Sequence, residues 1–254
     1  MELRRYIRGR RWIGMYVMAL APVALFLMRN AALRANLITP QFQLSEDYAR
    51  FYQFFILRFG VFFCSAVIFS QMLRGEVLEK TLHFYLLAPT RRLVIVIGKF
   101  LAGVVTSAAL FGGCTAATFI LFYLPSPSFN EFFLNGNGVS HLSGYMLVTI
   151  LACIGYGAIF LLAGLVFKNP GIPAVFLLGW ESLSFIFPEK VQYFSMVYHF
   201  QSLLPVRLDR GVFAVVVEPL SPIVSVPVIV IVAVVFLTVS GWLLGRTQVT
   251  YSAD

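Results

Sequence analysis

The sequence predicts an all-α, polytopic membrane protein with six transmembrane helices, and three observations carry that reading. Of 254 residues, 59% are hydrophobic and only 12% are charged, about half the charged share of a soluble domain. The apolar residues gather into runs of the length a helix needs to cross a bilayer, about 20 residues. The runs are continuous rather than alternating, which argues against a β-barrel. Lipid offers the backbone no hydrogen bonds, so helices are the spanning form that remains.

The runs cover residues 12–28, 54–73, 93–124, 145–167, 171–187 and 223–245, within a single membrane domain over 1–254. The first follows a basic stretch, Arg4, Arg5, Arg8, Arg10 and Arg11. It is longer than the apolar part of a signal peptide and no small-x-small cleavage site follows, so it is expected to be a retained span. A short basic interfacial helix should precede it, with Trp12 at the membrane boundary. The second run carries Arg58, expected near its outer end with the side chain snorkelling to the headgroups. The third is longer than a crossing needs and should tilt or extend into the cytoplasm. In the fourth, Gly155, Gly157 and Gly164 predict close helix packing, as do Gly241 and Gly245 in the sixth.

The short fifth run holds Glu181 beside Trp180. An acid inside a membrane is costly and often functional, which makes Glu181 the candidate for a translocation path. A structural hydrogen bond to a neighbouring helix, near a kink or an interface, is the other reading. The connections long enough to fold are 29–53, 125–144 and 188–222.

Lys and Arg set the orientation. With the N-terminus in the cytoplasm, the inner segments hold 12 of the 19 basic residues and the outer ones 7. The bias places both termini in the cytoplasm of a multi-pass protein of the cell's inner (plasma) membrane, although Arg29 and Arg34 argue the other way. The net charge of +8 then reads as membrane topology, since no basic stripe interleaved with aromatics points to nucleic acid. Cys64, Cys114 and Cys153 lie far apart inside apolar runs and read as buried small hydrophobes. His83, His141 and His199 are isolated, so neither a metal nor a cofactor is expected. No G-x-S-x-G elbow occurs. Of the four lysines only Lys99 follows a glycine, and Phe100 comes after it, so no phosphate-binding loop exists and the chain should not hydrolyse ATP.

The inner connection 74–92 is the most informative stretch. Glu76, Glu79, Lys80 and His83 recur on one helical face and Leu78, Leu82, Tyr85 and Leu86 on another. Pro89 stops the pattern near Leu87. The spacing predicts an amphipathic helix of about 12 residues, roughly 18 Å long, lying along the inner membrane surface.

This segment resembles the cytoplasmic loop in the permease subunits of type-2 ATP-binding-cassette (ABC) exporters. The residues that carry the likeness are Glu76, Glu79, Thr81, Leu82, Leu86, Leu87, Pro89, Arg91, Arg92 and Lys99, in that order. Lys80 stands where the family usually has glycine. The resemblance implies a coupling helix held in a cleft of a separate ATPase subunit, with Glu76, Glu79, Lys80, Thr81, His83, Pro89, Arg91 and Arg92 as the coupling residues. It also implies a second permease copy, identical or different, and short helices in 188–222 that dip back into the outer leaflet. The apolar stretches 194–204 and 212–217 suit such helices. The expected function is thus that of a non-catalytic transmembrane subunit, forming the translocation path of an exporter whose partner supplies ATP hydrolysis. The alternative is a self-sufficient secondary carrier or another polytopic membrane protein. Carriers usually show internal repeats and several ionisable groups at the midplane; no clear repeat is visible here, and Glu181 is the strongest such group.

Overall fold

Helix α1 (Ile13–Arg34) runs six residues past the apolar stretch expected to hold it. Its end is set by Asn36, at φ 55°. The Leu37 N–H reaches the Ala32 carbonyl at 3.0 Å and the Asn36 N–H that of Leu33 at 3.1 Å, the pairing of a Schellman turn. The computed structural model describes residues 13–37, 44–78, 92–127, 129–167, 169, 171–183, 189–206 and 220–246, and all regular structure among them is helical.

A continuous helical column follows. It comprises α2 (Leu44–Phe51), a π-helical stretch over Tyr52–Val61, and α3 (Phe62–Leu78). In the π-helical stretch the spacing opens by one residue, so that the Phe62 N–H bonds the Leu57 carbonyl. The column starts ten residues before the run expected at 54 and takes up residues 44–53 of the supposed 29–53 connection. Next come α4 (Arg92–Tyr123), a π-helical turn at Glu131–Asn135, and α5 (Gly138–Val166). Then follow α6 (Gly171–Leu183), the short α7 (Glu189–Gln192) and α8 (Met196–Ser202), and finally α9 (Pro222–Arg246).

Among the described residues, five stretches are long and apolar enough to cross a membrane: Tyr16–Arg34, Ser45–Met72, Arg92–Tyr123, Gly138–Val166 and Pro222–Leu244. The chain is therefore an all-helical protein of multi-pass character. The sixth expected span is α6, whose 13 residues reach about 20 Å, short of a hydrocarbon core of about 30 Å. Residues 184–187, the rest of that run, lie outside the described residues, as do Trp12 and the basic segment before it.

Side-chain contacts fix how the helices run. Gly60 lies against Phe111 and Gly103 against Phe69 and Met72, so the α2–α3 column and α4 are antiparallel and Leu78 lies at the same end of the bundle as Arg92. Cys114 bonds the Ala19 carbonyl and Asn30 that of Leu121, so α1 runs parallel to α4. Tyr52 meets Tyr145 and Gly164 meets Ser70, so α5 runs parallel to the α2–α3 column. Gly241 packs on Leu93, and Arg92 bonds the Leu244 carbonyl at 2.9 Å, which sets α9 antiparallel to α4. The start of α1, the end of α3, the start of α4, the end of α5 and the end of α9 thus share one end of the bundle, here termed the Arg92 end.

Small residues let these helices approach. A Cβ on Gly157 would stand 2.6 Å from the Phe69 ring, and one on Gly164 would run into the Ser70 backbone. The packing expected from Gly155, Gly157, Gly164 and Gly241 is present. Hydroxyls join the same helices: Tyr52 donates to the Tyr145 carbonyl at 3.0 Å and lies 2.8 Å from Thr149, which lies 3.1 Å from Thr115. Each such bond contributes about 0.6 kcal/mol inside a membrane bundle. Cys64, Cys114 and Cys153 are free and buried, as expected of small hydrophobes.

Candidate functional site

Arg58 and Tyr156 meet Glu181 and Ser182 of α6 inside the bundle. The first turn of α6 tolerates Pro173, because the donor that proline lacks has no partner at a helix start. From Gly171 the helix rises ten residues to Glu181, and Tyr156 sits ten residues before the end of α5 at Val166. The two helices are joined at the Arg92 end by residues 167–170. Equal rises of about 15 Å therefore bring Glu181 level with Tyr156. The Tyr156 hydroxyl donates to Glu181 Oε2 at 2.8 Å, and Glu181 is 3% exposed. One residue on, Ser182 Oγ accepts from Arg58 Nη2 at 2.6 Å. Arg58 lies 13 residues from one end of the stretch Ser45–Met72 and 14 from the other. It does not snorkel from the outer end of its helix. It turns into the bundle, where its charge acts on both Glu181 and Tyr156.

Two local features make this placement possible. Arg58 belongs to the π-helical stretch Tyr52–Val61, and such insertions re-aim side chains and recur at functional sites. On the far side, the Tyr156 ring packs edge-on against Phe200 of α8, with centroids 5.4 Å apart. Met196 and Phe200 also flank Gly155. Polar atoms of the same segment are buried: Ser195 Oγ and His199 Nδ1 have no protein partner among the described residues. His199 Nε2 lies 2.9 Å from the Tyr193 carbonyl and donates to it, since a carbonyl only accepts.

The expected coupling residues fall elsewhere. Glu76 is carried on the last turn of α3, continuous with the column below it rather than opening a separate helix. Glu79, Lys80, Thr81, His83, Pro89 and Arg91 lie outside the described residues. Arg92 opens α4 and is tied to α9 through the Leu244 carbonyl. Lys99, two turns further along α4, is buried. At the opposite end Arg29 stands over the Phe122 ring, 5.0 Å from its centroid, and Asn30 donates to the Leu121 carbonyl at 2.9 Å. These contacts satisfy carbonyls at the end of α4 that no helical N–H can reach.

Sequence reasoning singled out Glu181 and missed Tyr156 and Ser182 as members of one site. No group of three or more His, Cys, Asp or Glu able to hold a metal occurs among the described residues. The arrangement can hold and move charge: a carboxyl group, a phenol and a guanidinium enclosed by apolar side chains. Comparison of the chain with protein-family models, with curated proteins and with solved structures gives no match in any of the three.

Proposed function

We propose that the chain is the transmembrane subunit of an ABC exporter, forming the translocation path while a separate ATPase subunit supplies the energy. The observation that carries this reading is the 76–92 motif at the joint of two antiparallel membrane helices. Glu76 rides on α3 and Arg92 opens α4, so a force on residues 79–91 is delivered to both helices at once. Through Arg92 and the Leu244 carbonyl it also reaches α9. A lever needs such stiff attachment, and charge pairs at its surface would set docking register more than affinity.

On this reading the chain crosses six times, with both termini in the cytoplasm. The fifth crossing is interrupted. It climbs from the Arg92 end as α6, is interrupted by the turn at residues 193–195, and resumes through α8 to Pro205, which packs on Gly144. Interrupted crossings in transport proteins place binding sites at the membrane midplane. A self-sufficient carrier is the second reading, and the Arg58, Tyr156 and Glu181 cluster is what favours it.

Co-expression with a candidate ABC ATPase and affinity capture tests the choice. The exporter subunit retains the ATPase, loses it when Glu79 and Thr81 are both changed to Ala, and turns over no ATP when purified alone. Capture unaffected by those changes, or ATP turnover by the isolated chain, would contradict the assignment.

A further inference from the structure

We propose that Glu181 is a proton-binding site in the membrane interior, alternating between a carboxylate facing Arg58 and a neutral acid still bonded to Tyr156. The inference rests on the reading of the bundle as membrane-embedded and is independent of any ATPase partner.

Geometry carries it. Glu181 and Ser182 are consecutive residues of α6 whose side chains meet α5 and the α2–α3 column. A carboxylate there is opposed by the absence of solvent, since Glu181 is 3% exposed. Two groups favour the charged form: the Tyr156 hydroxyl at 2.8 Å and the Arg58 guanidinium, anchored one residue away on Ser182 at 2.6 Å. Opposed influences of this kind let a carboxyl group exist in either protonation state. A third feature supplies access. Ser195 Oγ and His199 Nδ1 are buried without protein partners among the described residues, on the segment that packs against Gly155 and Tyr156. Such atoms suit a file of water reaching the break in the crossing.

The ligand is a proton rather than a metal cation. Hard cations require six or more oxygen ligands, whereas here one carboxylate oxygen is taken by a phenol and a guanidinium stands alongside. Proton uptake from water, RCOO⁻ plus H₃O⁺ giving RCOOH plus H₂O, raises the charge of the cluster by one, while Arg58 keeps its hydrogen bond to Ser182. The other titratable groups on the packed elements have their own partners or face the break. Cys153 pairs with Ser107, Cys64 lies 3.9 Å from the Met18 sulfur, Tyr52 bonds Tyr145 and Thr149, and His199 lies on α8.

The test is infrared difference spectroscopy of the purified chain in lipid as the pH is stepped through about 4 to 10, spanning the ordinary carboxyl and phenol ranges. A neutral-carboxyl band should appear on acidification and vanish in Glu181→Gln. Tyr156→Phe removes a donor from the carboxylate. It should shift the band and tighten proton binding about tenfold, the effect of one charge-assisted hydrogen bond. A carboxyl signal identical in wild type and Glu181→Gln would overturn the proposal. Should Glu181→Gln fail to fold, Tyr156→Phe decides, because an unchanged band and midpoint there also rules the site out.

Discussion

Arg58 and Glu181 together bear on how this bundle tolerates charge. Neither sits where a long side chain can reach water past a helix end, so each is compensated by groups on other helices. Removing one leaves the other stranded, and removing both does not. Arg58→Gln should therefore lower thermal stability in detergent far more in the native background than in Glu181→Gln, with a coupling of about 1–3 kcal/mol. Additive losses would mean that the two charges do not support each other. The peculiarity of these residues was legible in the sequence as ionisable groups within apolar runs. Their partnership was not, because Tyr156 lies 25 positions from Glu181 and Arg58 lies 124 from Ser182, and a single sequence holds no sign of contact at that range.

At the scale of the element, legibility followed hydrophobicity. Helix α4 and helix α9 begin and end within one residue of the runs read at 93–124 and 223–245, because an apolar run bounded by charge leaves little choice. The misplaced ends are amphipathic. Residues 44–53 include Glu46, Asp47 and Arg50 yet remain helical, with an exposed Glu46–Arg50 pair at 3.2 Å one turn apart. Glycines separate in the same way. Gly164 faces the Ser70 backbone, whereas nothing lies within 4 Å of a Cβ on Gly98. Gly164→Ala should destabilise by about 1–3 kcal/mol, the cost of overpacking. Gly98→Ala should be neutral or stabilise by up to about 1 kcal/mol, the usual helix preference. Equal thermal shifts in the two variants would refute the close contact.

For the whole molecule, the consequence is sidedness. The helix directions put Leu78 and Arg92, the described residues on either side of 79–91, at the end where α1 starts and α9 finishes, and the exposed Asn137 at the other. A membrane-impermeant thiol reagent applied to intact cells should label Asn137→Cys. It should reach Tyr85→Cys only after permeabilisation; the native cysteines are buried. The reverse pattern would invert the orientation while leaving the bundle as it is. The helix directions show which segments share an end; that this end faces the cytoplasm is what the Lys and Arg count proposes. The turn at residues 193–195 was not legible in the sequence, because no glycine or proline stands there to mark it.

The ten residues Tyr52–Val61 wind more loosely than the helices on either side of them. Rewinding them to the tighter pitch of 3.6 residues per turn would screw α3 around its own axis relative to α2. Arg58 could not then keep Ser182 while Phe69 and Ser70 kept their glycines. The column is in this sense a coiled spring with a charge mounted on its middle turns, and the same slack that aims the guanidinium gives the two ends of that helix a way to rotate against each other.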